Sequence, residues 1–399
     1  MRNIIITGGE LFNKGAQAMT FVAVSELKKR FPNHEIYLLS EMDLERPSAV
    51  RERYAFSFTG WYPIKFARCQ NNPLLRLSCK LRNRAELANA EQLYQACDMM
   101  VDISGYALGS NWSIRNNSRY LDHLEFAQAF GIPVYLMPQS FGPFNFGSEH
   151  PGIDERCRKL LPMCKAILAR EREGYDALVN TYGLTNVQLA TDLVLNNKGI
   201  DLSNIFNAIP DFTLPEIATG SIAIVPNGRN LSVGNDAEVL ALYQAAIHHG
   251  LEQGKTVYLL HHATSDASIC ARLKARFEDN ARVILLENEF SCLEFNELVQ
   301  HFDYLVASRF HSIVHAYKNA IPCVIMGWAK KYEELSAQFE QQSYLFDVRN
   351  RVDASALCNA MDHLDSSKEE ESRKIKALLA AIQKNNVFDI LGSHSKEHP

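Results

Sequence analysis

The sequence predicts an α/β protein made of two Rossmann-like domains, and three observations support this fold class. Short apolar, β-branched runs alternate with segments of helical pattern along most of the 399 residues. This alternation is typical of parallel sheets that are covered by helices on both faces. A stretch without a clear period at 196–219 then divides the chain into two such series, and a helical segment follows the second.

The first half contains six predicted strands and four predicted helices. The predicted strands are 4–7, 36–40, 99–104, 134–139, 167–170 and 187–190. The predicted helices are 16–30, 83–96, 118–130 and 172–182. Gly183 directly follows the last helix, where a glycine suits a left-handed C-cap. The segment 45–80 is irregular and rich in basic residues.

The second half repeats the pattern and ends in a helix. The predicted strands are 222–226, 256–260, 283–286, 304–307 and 323–326, with helices between them and a closing helix at 366–384. The domains are therefore predicted as 1–200, 218–365 and a closing helix and tail at 366–399. Two α/β halves that face each other across a cleft form a GT-B-like arrangement, in which ligands bind at the C-terminal ends of the strands.

Composition excludes several classes of protein. The formal net charge of −5 argues against a broad nucleic-acid or anionic-membrane surface. The nine cysteines include no CxxC pair, which favours buried thiols in a reducing compartment and no zinc site. The N-terminal apolar run is too short for a signal peptide, and no stretch reaches the about 20 apolar residues of a spanning helix. We expect a cytoplasmic protein, with peripheral attachment to a membrane-bound assembly left open.

The loop after the first strand, ITGGELFNKGAQAM at 6–19, is the first candidate site. Free backbone N–H groups and the positive end of the following helix can hold an oxygen-rich or anionic ligand. Asn13, Gly15 and Gln17 are the candidate residues. The spacing is neither GxGxxG nor a P-loop, so this loop does not predict a nucleotide site. Glycines at such turns are also common for structural reasons.

Two more loops of the first half carry polar residues at strand ends. Gly105 lies in VDISGYALGS at 101–110, and Gln139 and Ser140 end the strand of YLMPQSFGPF at 135–144. A polar pair where an apolar strand stops suits the recognition of sugar hydroxyls. A turn whose hydrogen bonds are all internal is the alternative interpretation.

The strongest candidate site lies in the second half, within the segment 303–335. Arg309 and His311 occupy a strand-to-helix turn, where an anion also gains the helix N-terminus. Arginine offers a planar fork for carboxylate or phosphate, and histidine moves protons near neutral pH. Lys330 and Lys331 recur at the same sheet edge after the next strand. His315 shares the helix face of His311, but no third metal ligand is evident.

Two other basic positions end predicted strands. Arg170 closes a strand of the first half, where it serves either as a ligand for an anion or as one member of an ion pair. His261 and His262 end a strand of the second half, and one of the two is expected to reach the cleft.

These blocks together resemble the polysaccharide pyruvyl transferase family. The matching segments, which fall in the family's order between residues 3 and 336, are NKGAQAM, DISGYALGS, PQSFGP, AREREGYDAL, ATD, SRFHSIVHAYKNAIP and AKKYEEL. Two of them depart from the usual pattern. The first loop reads KGAQA, and the second glycine block has Ser-Gly-Tyr in place of a Gly-Gly pair. Both lie in the half that is expected to bind the acceptor.

The resemblance implies a GT-B-like fold, phosphoenolpyruvate as donor substrate and a hexose acceptor, often lipid-linked or within a wall polymer. It implies no metal and no further cofactor. His311 and Arg309 are predicted as catalytic residues. The predicted donor-binding residues are Arg309, Arg170, Lys330 and His262. The predicted acceptor-binding residues are Asn13, Gly15, Gln17, Gly105, Gln139 and Ser140.

The predicted reaction is the formation of a pyruvate ketal on a cell-surface sugar, with release of phosphate. Two alternatives stay open at this point. A glycosyltransferase of the same fold would use a nucleotide sugar and place its phosphates at the basic turn. A non-catalytic scaffold of a polysaccharide assembly would use neither donor.

Overall fold

Two parallel β-sheets organise the protein, as seen in a computed structural model that describes residues 2–60 and 92–394. The first sheet has the order β3-β2-β1-β4-β6-β7-β8, and β5 pairs with β6 beside this path. Its strands are β1 (Arg2–Thr7), β2 (His34–Leu39), β3 (Ser57–Thr59), β4 (Cys97–Asp102), β5 (Tyr106–Leu108), β6 (Val134–Phe141), β7 (Ala166–Ala169) and β8 (Val187–Leu189).

The second sheet has the order β11-β10-β9-β12-β13-β14. Its strands are β9 (Ile222–Val225), β10 (Val257–Leu260), β11 (Val283–Leu286), β12 (Leu305–Ala307), β13 (Cys323–Gly327) and β14 (Leu345–Asp347). Neighbouring strands in both sheets run parallel, for example β1 with β4 and β9 with β12. Central strands such as β9 are buried along their whole length, as expected for sheets covered on both faces. The predicted fold class is confirmed.

Helices connect the strands and cover the sheets. Those of the first half are Lys14–Arg30, Glu41–Leu44, Ser48–Arg51, Ile114–Ala129, Ile153–Leu160, Arg172–Tyr182 and Leu193–Asn196. Those of the second half are Gly228–Val233, Asp236–Glu252, Ala267–Ala275, Cys292–Leu298, Phe310–Lys318, Lys330–Gln338 and Ala354–Ile382. No helix within the described ranges is both long and apolar enough to cross a membrane.

Most element boundaries agree with the sequence prediction within two residues, and the exceptions are informative. The closing helix begins at Ala354, where Asp353 caps it, and not at 366. The strands β3, β5 and β14, of three residues each, were not predicted. Most of the predicted helix 83–96 lies outside the described residues. The predicted domain boundaries at 200 and 218 fall between β8 and β9.

The closing segment returns to the first half and ties the two halves together. The side-chain amide of Asn196 donates to the carbonyls of Ile382 and Asn385, at 3.2 and 2.8 Å. One continuous apolar core contains residues of both halves, among them the fully buried Leu195 and Ile313. The two sheets are therefore held in a fixed relation, with the C-terminal strand ends directed toward a shared cleft.

Candidate functional site

A cavity of about 600 Å³ lies in the cleft between the C-terminal strand ends of the two sheets. The first half lines it with the loops after β1, β2 and β4 and with one face of the helix Ile114–Ala129. Arg170, Phe310, His311 and Lys331 complete the lining from the ends of β7, β12 and β13. The cavity stands where the sequence predicted a ligand, at the meeting of several strand ends.

The loop after β1 forms the N-terminal wall through close backbone packing. Gly8 has a φ of 73°, and a Cβ atom there would lie 2.1 Å from the hydroxyl oxygen of Ser104. Asn13 accepts a hydrogen bond from the N–H of Gly15 at 2.9 Å and so caps the helix Lys14–Arg30. Of the three residues predicted in this loop, Asn13 lines the cavity.

A buried carboxylate supports this wall from below. Asp102 accepts hydrogen bonds from the Thr7 hydroxyl at 2.7 Å, the Ser104 hydroxyl at 3.0 Å and the Gln139 amide at 2.9 Å. Burial raises the pKa of Asp102, and these hydrogen bonds oppose the rise. Gln139 is fully buried and also accepts from Tyr120, so the structure places it beneath the cavity wall and not on the cavity surface.

Arg170 is held in a dense polar network. Its side chain is 5% exposed and donates to Glu171 at 2.8 Å, to Asp192 at 3.0 Å and to the Ser140 hydroxyl at 2.6 Å. Burial alone would lower the pKa of Arg170, but the carboxylates of Glu171 and Asp192 raise it. Two buried carboxylates therefore compensate this guanidinium, and Ser140 is occupied in holding it.

Arg309 is also paired. Its guanidinium forms a two-point contact with the buried carboxylate of Asp266, at 2.6 and 2.7 Å, and donates to the hydroxyl of Ser265. Asp266 lies in the loop after β10, and Arg309 is not among the residues that line the cavity. The structure thus separates Arg309 from His311, two positions along the chain, although the sequence suggested that they act side by side.

His311 faces the cavity at the seam between the halves. Its Nε2 lies 3.9 Å from a carboxylate oxygen of Asp192 and has no hydrogen-bond partner within the described ranges. Burial lowers the pKa of His311 to about 4, although Asp192 pulls the other way. The ring packs against Gly15, where a Cβ atom would lie 2.4 Å from Nδ1. Gly15 thus makes room for this imidazole.

Lys331, which the sequence places at the same sheet edge as Lys330 but outside the predicted donor-binding residues, supplies a cation. Its ammonium lies 5.1 Å from the ring centre of Phe310 and 5.6 Å from that of Tyr332, which is the range of cation–π contacts. It has no carboxylate partner among residues 2–60 and 92–394. Burial, with Arg170 nearby, lowers the pKa of Lys331 to about 8. The predicted Lys330 is exposed, forms an ion pair with Glu333 and does not line this cavity.

Two more predicted residues lie behind the site. His262 is buried, with its ring 4.9 Å from that of Phe295 and 6.0 Å from that of His315, and burial lowers its pKa. Gln17 accepts a hydrogen bond from the N–H of Cys292 at 2.7 Å and so joins the two halves.

A second cavity of about 580 Å³ shares Arg170, Phe310 and Lys331 with the first. Lys330 lines this one. Glu334 closes part of it, because its carboxylate accepts from the N–H groups of Arg172 and Glu173 at 2.6 and 3.3 Å. A side chain of the second half therefore caps a helix of the first half.

The structure brings together five of the sequence-predicted residues around the shared wall. Asn13, Gly105, Arg170 and His311 line the first cavity, and Lys330 lines the second. The others lie behind or beside it as described. Sequence reasoning missed the lining side chains of Glu10, Tyr106, Trp112 and Arg119, and it assigned donor binding to Lys330 where Lys331 lines the first cavity. A polar or aromatic residue directly after a strand was a usable signal for Glu10 and Tyr106.

The fold is similar to that of several solved sugar-processing enzymes. UDP-GlcNAc 2-epimerase from Neisseria meningitidis is 12% identical with a TM-score of 0.60, and the match covers 100% of both chains. UGT71G1 of Medicago truncatula, complexed with UDP-glucose, is 11% identical with a TM-score of 0.56 over 98% of both chains. The trehalose-6-phosphate synthase OtsA is 10% identical with a TM-score of 0.57 over 100% of both chains. At these identities the likeness shows the GT-B-like fold.

Comparison by sequence identifies the family. No curated protein matches the chain. The family model described as polysaccharide pyruvyl transferase matches residues 13–330, which include the loop after β1, the network of Arg170 and the turn at His311. The match ends at Lys330, immediately before Lys331. The chain therefore belongs to the polysaccharide pyruvyl transferase family.

Proposed function

We propose that this protein transfers the pyruvyl group of phosphoenolpyruvate to two hydroxyls of a hexose, forming a ketal. The hexose would belong to a cell-surface polysaccharide or to its lipid-linked precursor. The family supports a transferase that modifies polysaccharide. Donor, ketal, lipid linkage, a cytoplasmic site of action and peripheral contact with a membrane-bound assembly are all parts of the proposal.

The observation that carries the proposal is that one cavity is lined both by His311 and by the ammonium of Lys331, which has no ion-pair partner among the described residues. Phosphoenolpyruvate carries a carboxylate and a phosphate, and a cation without a direct ion-pair partner in a partly buried site attracts such groups. The helices Phe310–Lys318 and Lys330–Gln338 begin at this wall, and the side chains of their N-cap residues, Arg309 and Ala329, make no capping hydrogen bond. Their N–H groups add positive potential at the same place.

Proton transfer suits the two side chains. At neutral pH His311 is uncharged because burial lowers its pKa to about 4, so it can accept a proton. Lys331 is mainly protonated with a pKa of about 8, so it can donate one. Protonation of the enol carbon gives an oxocarbenium-like centre, one sugar hydroxyl adds, phosphate leaves and a second hydroxyl closes the ketal. Positioned acid–base groups contribute about 10²–10⁴-fold. The scheme uses no metal and no organic cofactor.

Arg170 and Arg309 enter this scheme differently from the sequence-based expectation. Each is engaged by carboxylates in the structure, so neither presents a free charge. Arg170 stacks at 4.4 Å from the ring centre of Phe310 and holds the wall on which Lys331 rests. Its two remaining N–H groups stay available for a ligand in either cavity. Donor binding by Arg309 requires exchange of Asp266 for a donor anion.

One assay tests the proposal. The protein is incubated with phosphoenolpyruvate and a set of glycans, and inorganic phosphate is measured together with the mass gain of the ketal. UDP- and CMP-sugars form the parallel arm. Phosphate release with a ketal-sized mass gain supports the proposal. Transfer of a sugar from a nucleotide donor would replace it with a glycosyltransferase, and inactivity in both arms would favour a scaffold.

A further inference from the structure

The N-terminal wall of the cavity contains a carboxylate that the predicted mechanism leaves unused. Glu10 follows β1 directly, after Gly8 and Gly9, and lines the same cavity as His311 and Lys331. Within residues 2–60 and 92–394 its carboxylate has no hydrogen-bond or ion-pair partner. The other acidic groups around it are engaged, since Asp43 bonds to Ser40 and Arg46, and Glu41 attracts Arg119.

The loop that carries Glu10 is fixed at both ends. The N–H of Leu11 donates to Asp43 at 3.0 Å, and the Gln17 amide donates to the carbonyl of Leu11 at 3.4 Å. A Cβ atom at Gly9 would lie 2.6 Å from the hydroxyl of Thr20, so the backbone there is packed tightly against the helix behind it. The carboxylate thus stands on a rigid loop at the cavity, which is the arrangement that an acid–base group requires.

An aromatic pair lies on the same wall. The rings of Tyr106 and Trp112 both line the cavity, and their centres are 5.4 Å apart. The Tyr106 hydroxyl donates to the carbonyl of Gly142 at 2.9 Å, which fixes its ring. Aromatic faces with few, well-placed polar groups are the usual lining of a small-molecule site, and they suit the apolar face of a sugar ring.

We propose that Glu10 is the group that removes a proton from the acceptor hydroxyl, with the sugar ring seated on Tyr106 and Trp112. This inference rests on the proposed function and adds the acceptor side to it. An unpaired carboxylate repels acidic sugars, so the acceptor is a neutral hexose. The position on the wall opposite His311 places the two proton acceptors on the two sides of the reacting centre.

The proton count closes with this assignment. One hydroxyl O–H bond breaks as its oxygen bonds to C2 of the donor, and the proton moves to the Glu10 carboxylate. The C2–O bond to phosphate breaks, and phosphate leaves with its electron pair. The second hydroxyl bonds to C2 and loses its proton to His311. Of the two hydroxyl protons, one replaces the proton given to C3 and the other departs on phosphate.

Burial is the main cause of a raised pKa at Glu10, and Asp43 adds to it. The other charged groups that share the cavity lining with Glu10 are Glu41 of the helix Glu41–Leu44 and the cations Arg119, Arg170 and Lys331 on the facing elements. A base with a raised pKa gives activity that falls as the pH drops through that raised value.

The test uses the full chain with phosphoenolpyruvate and nitrophenyl glycosides of glucose, galactose, mannose and glucuronic acid. Glu10→Gln is expected to lower kcat by about 10²-fold or more, with unchanged phosphoenolpyruvate binding in a thermal shift assay. The acidic limb of the wild-type pH profile should disappear. Formate should restore part of the activity of Glu10→Ala, which a merely structural carboxylate would not allow. Glu45→Gln, an exposed change outside the cavity, is the matched control.

The outcomes separate the two proposals. An inactive wild type with every acceptor would remove the proposed function and this inference together. An active wild type with wild-type kcat in Glu10→Gln would overturn the inference alone. If Glu10→Gln unfolds, the test uses the pH profile of Glu10→Asp and the formate rescue of Glu10→Ala. An unshifted pH profile together with no rescue by formate would contradict the role of Glu10 as the base. Preference for the glucuronide would overturn the neutral acceptor.

Discussion

The two walls of the cavity are built on different principles. The N-terminal wall consists of backbone turns held by buried hydrogen bonds, such as those that Thr7, Ser104 and Gln139 donate to Asp102. The C-terminal wall presents two single polar side chains. Within the described part of the chain, Nε2 of His311 has no hydrogen-bond partner and the ammonium of Lys331 has no ion-pair partner. With the exception of Glu10, the N-terminal wall satisfies its polar groups internally, and the C-terminal wall leaves them for a ligand.

This difference predicts how substitutions divide between stability and activity. Removing a member of an internally satisfied network leaves buried groups without partners and destabilises the fold. Removing an unpaired cation takes away an interaction that exists only with substrate, so it costs activity and spares the fold. Arg170 belongs with the first class despite its place in the cavity lining.

The largest effect is expected for Arg170→Leu. The change leaves Glu171 and Asp192 buried without their cation, and breaking such a pair costs about 3–5 kcal/mol in the free energy of unfolding. Urea denaturation followed by circular dichroism measures this loss. The neighbouring Arg172→Leu removes an exposed arginine and should change stability by less than about 1 kcal/mol. If both variants are equally stable, Arg170 is a residue that is free to bind the donor substrate, and the two walls do not differ in the way described.

An effect of similar size is expected for Lys331→Met, but on the activation free energy of the reaction and not on the free energy of unfolding. Loss of a positioned cation typically costs about 10²–10³-fold in turnover. Stability should be unchanged or higher, because burial of an unpaired ammonium is unfavourable in the free protein. Lys330→Met is the control and should stay within about twofold, since an exposed ion pair with Glu333 contributes little. If Lys330→Met is instead the less active enzyme, Lys330 is the donor-binding lysine, as the sequence predicts.

The sequence predicted the sheets, their order of elements and the family, because these depend on local periodicity and on motifs of neighbouring residues. It also predicted strand ends that lie at the first cavity. It did not predict which of two adjacent side chains faces that cavity. Lys330 and Lys331 are consecutive residues of one helix, so their side chains point about 100° apart. Lys330 is exposed, whereas Lys331 points into the first cavity, where its ammonium packs against the rings of Phe310 and Tyr332.

Partners that are distant in the chain explain the remaining differences. Asp266 engages Arg309, and Cys292 engages Gln17, across separations that no local pattern encodes. Gly15 was read as a ligand position, yet the structure shows it accommodating the His311 ring. Glu10 lies in the same loop and was not predicted, because a carboxylate after a Gly-Gly pair matches no motif.

An intermediate effect is expected for the buried histidines on acidification. The folded-state pKa values of His311 and His315 are lowered to about 4 and about 3, each mainly by burial. The unfolded chain therefore binds more protons between pH 6.5 and these values, and stability falls as the pH drops through that window. His315→Asn should reduce this loss by roughly 3 kcal/mol. Thermal unfolding of both proteins from pH 7 to pH 4 measures it, and parallel curves would contradict the buried neutral state.

The smallest effect is expected for Gly15→Ala, which connects the two walls. A Cβ atom would stand 2.4 Å from Nδ1 of His311, so the imidazole must shift by several tenths of an ångström or more. We expect a loss of about 1 kcal/mol in stability, as for modest overpacking, and about a tenfold fall in kcat. Gly199→Ala is the control, because a Cβ there meets nothing within 4 Å. If Gly15→Ala instead raises KM for the acceptor at constant kcat, the glycine contacts the sugar as the sequence suggested. A fall in kcat alone shows that the N-terminal wall acts by holding the imidazole of the C-terminal wall in place.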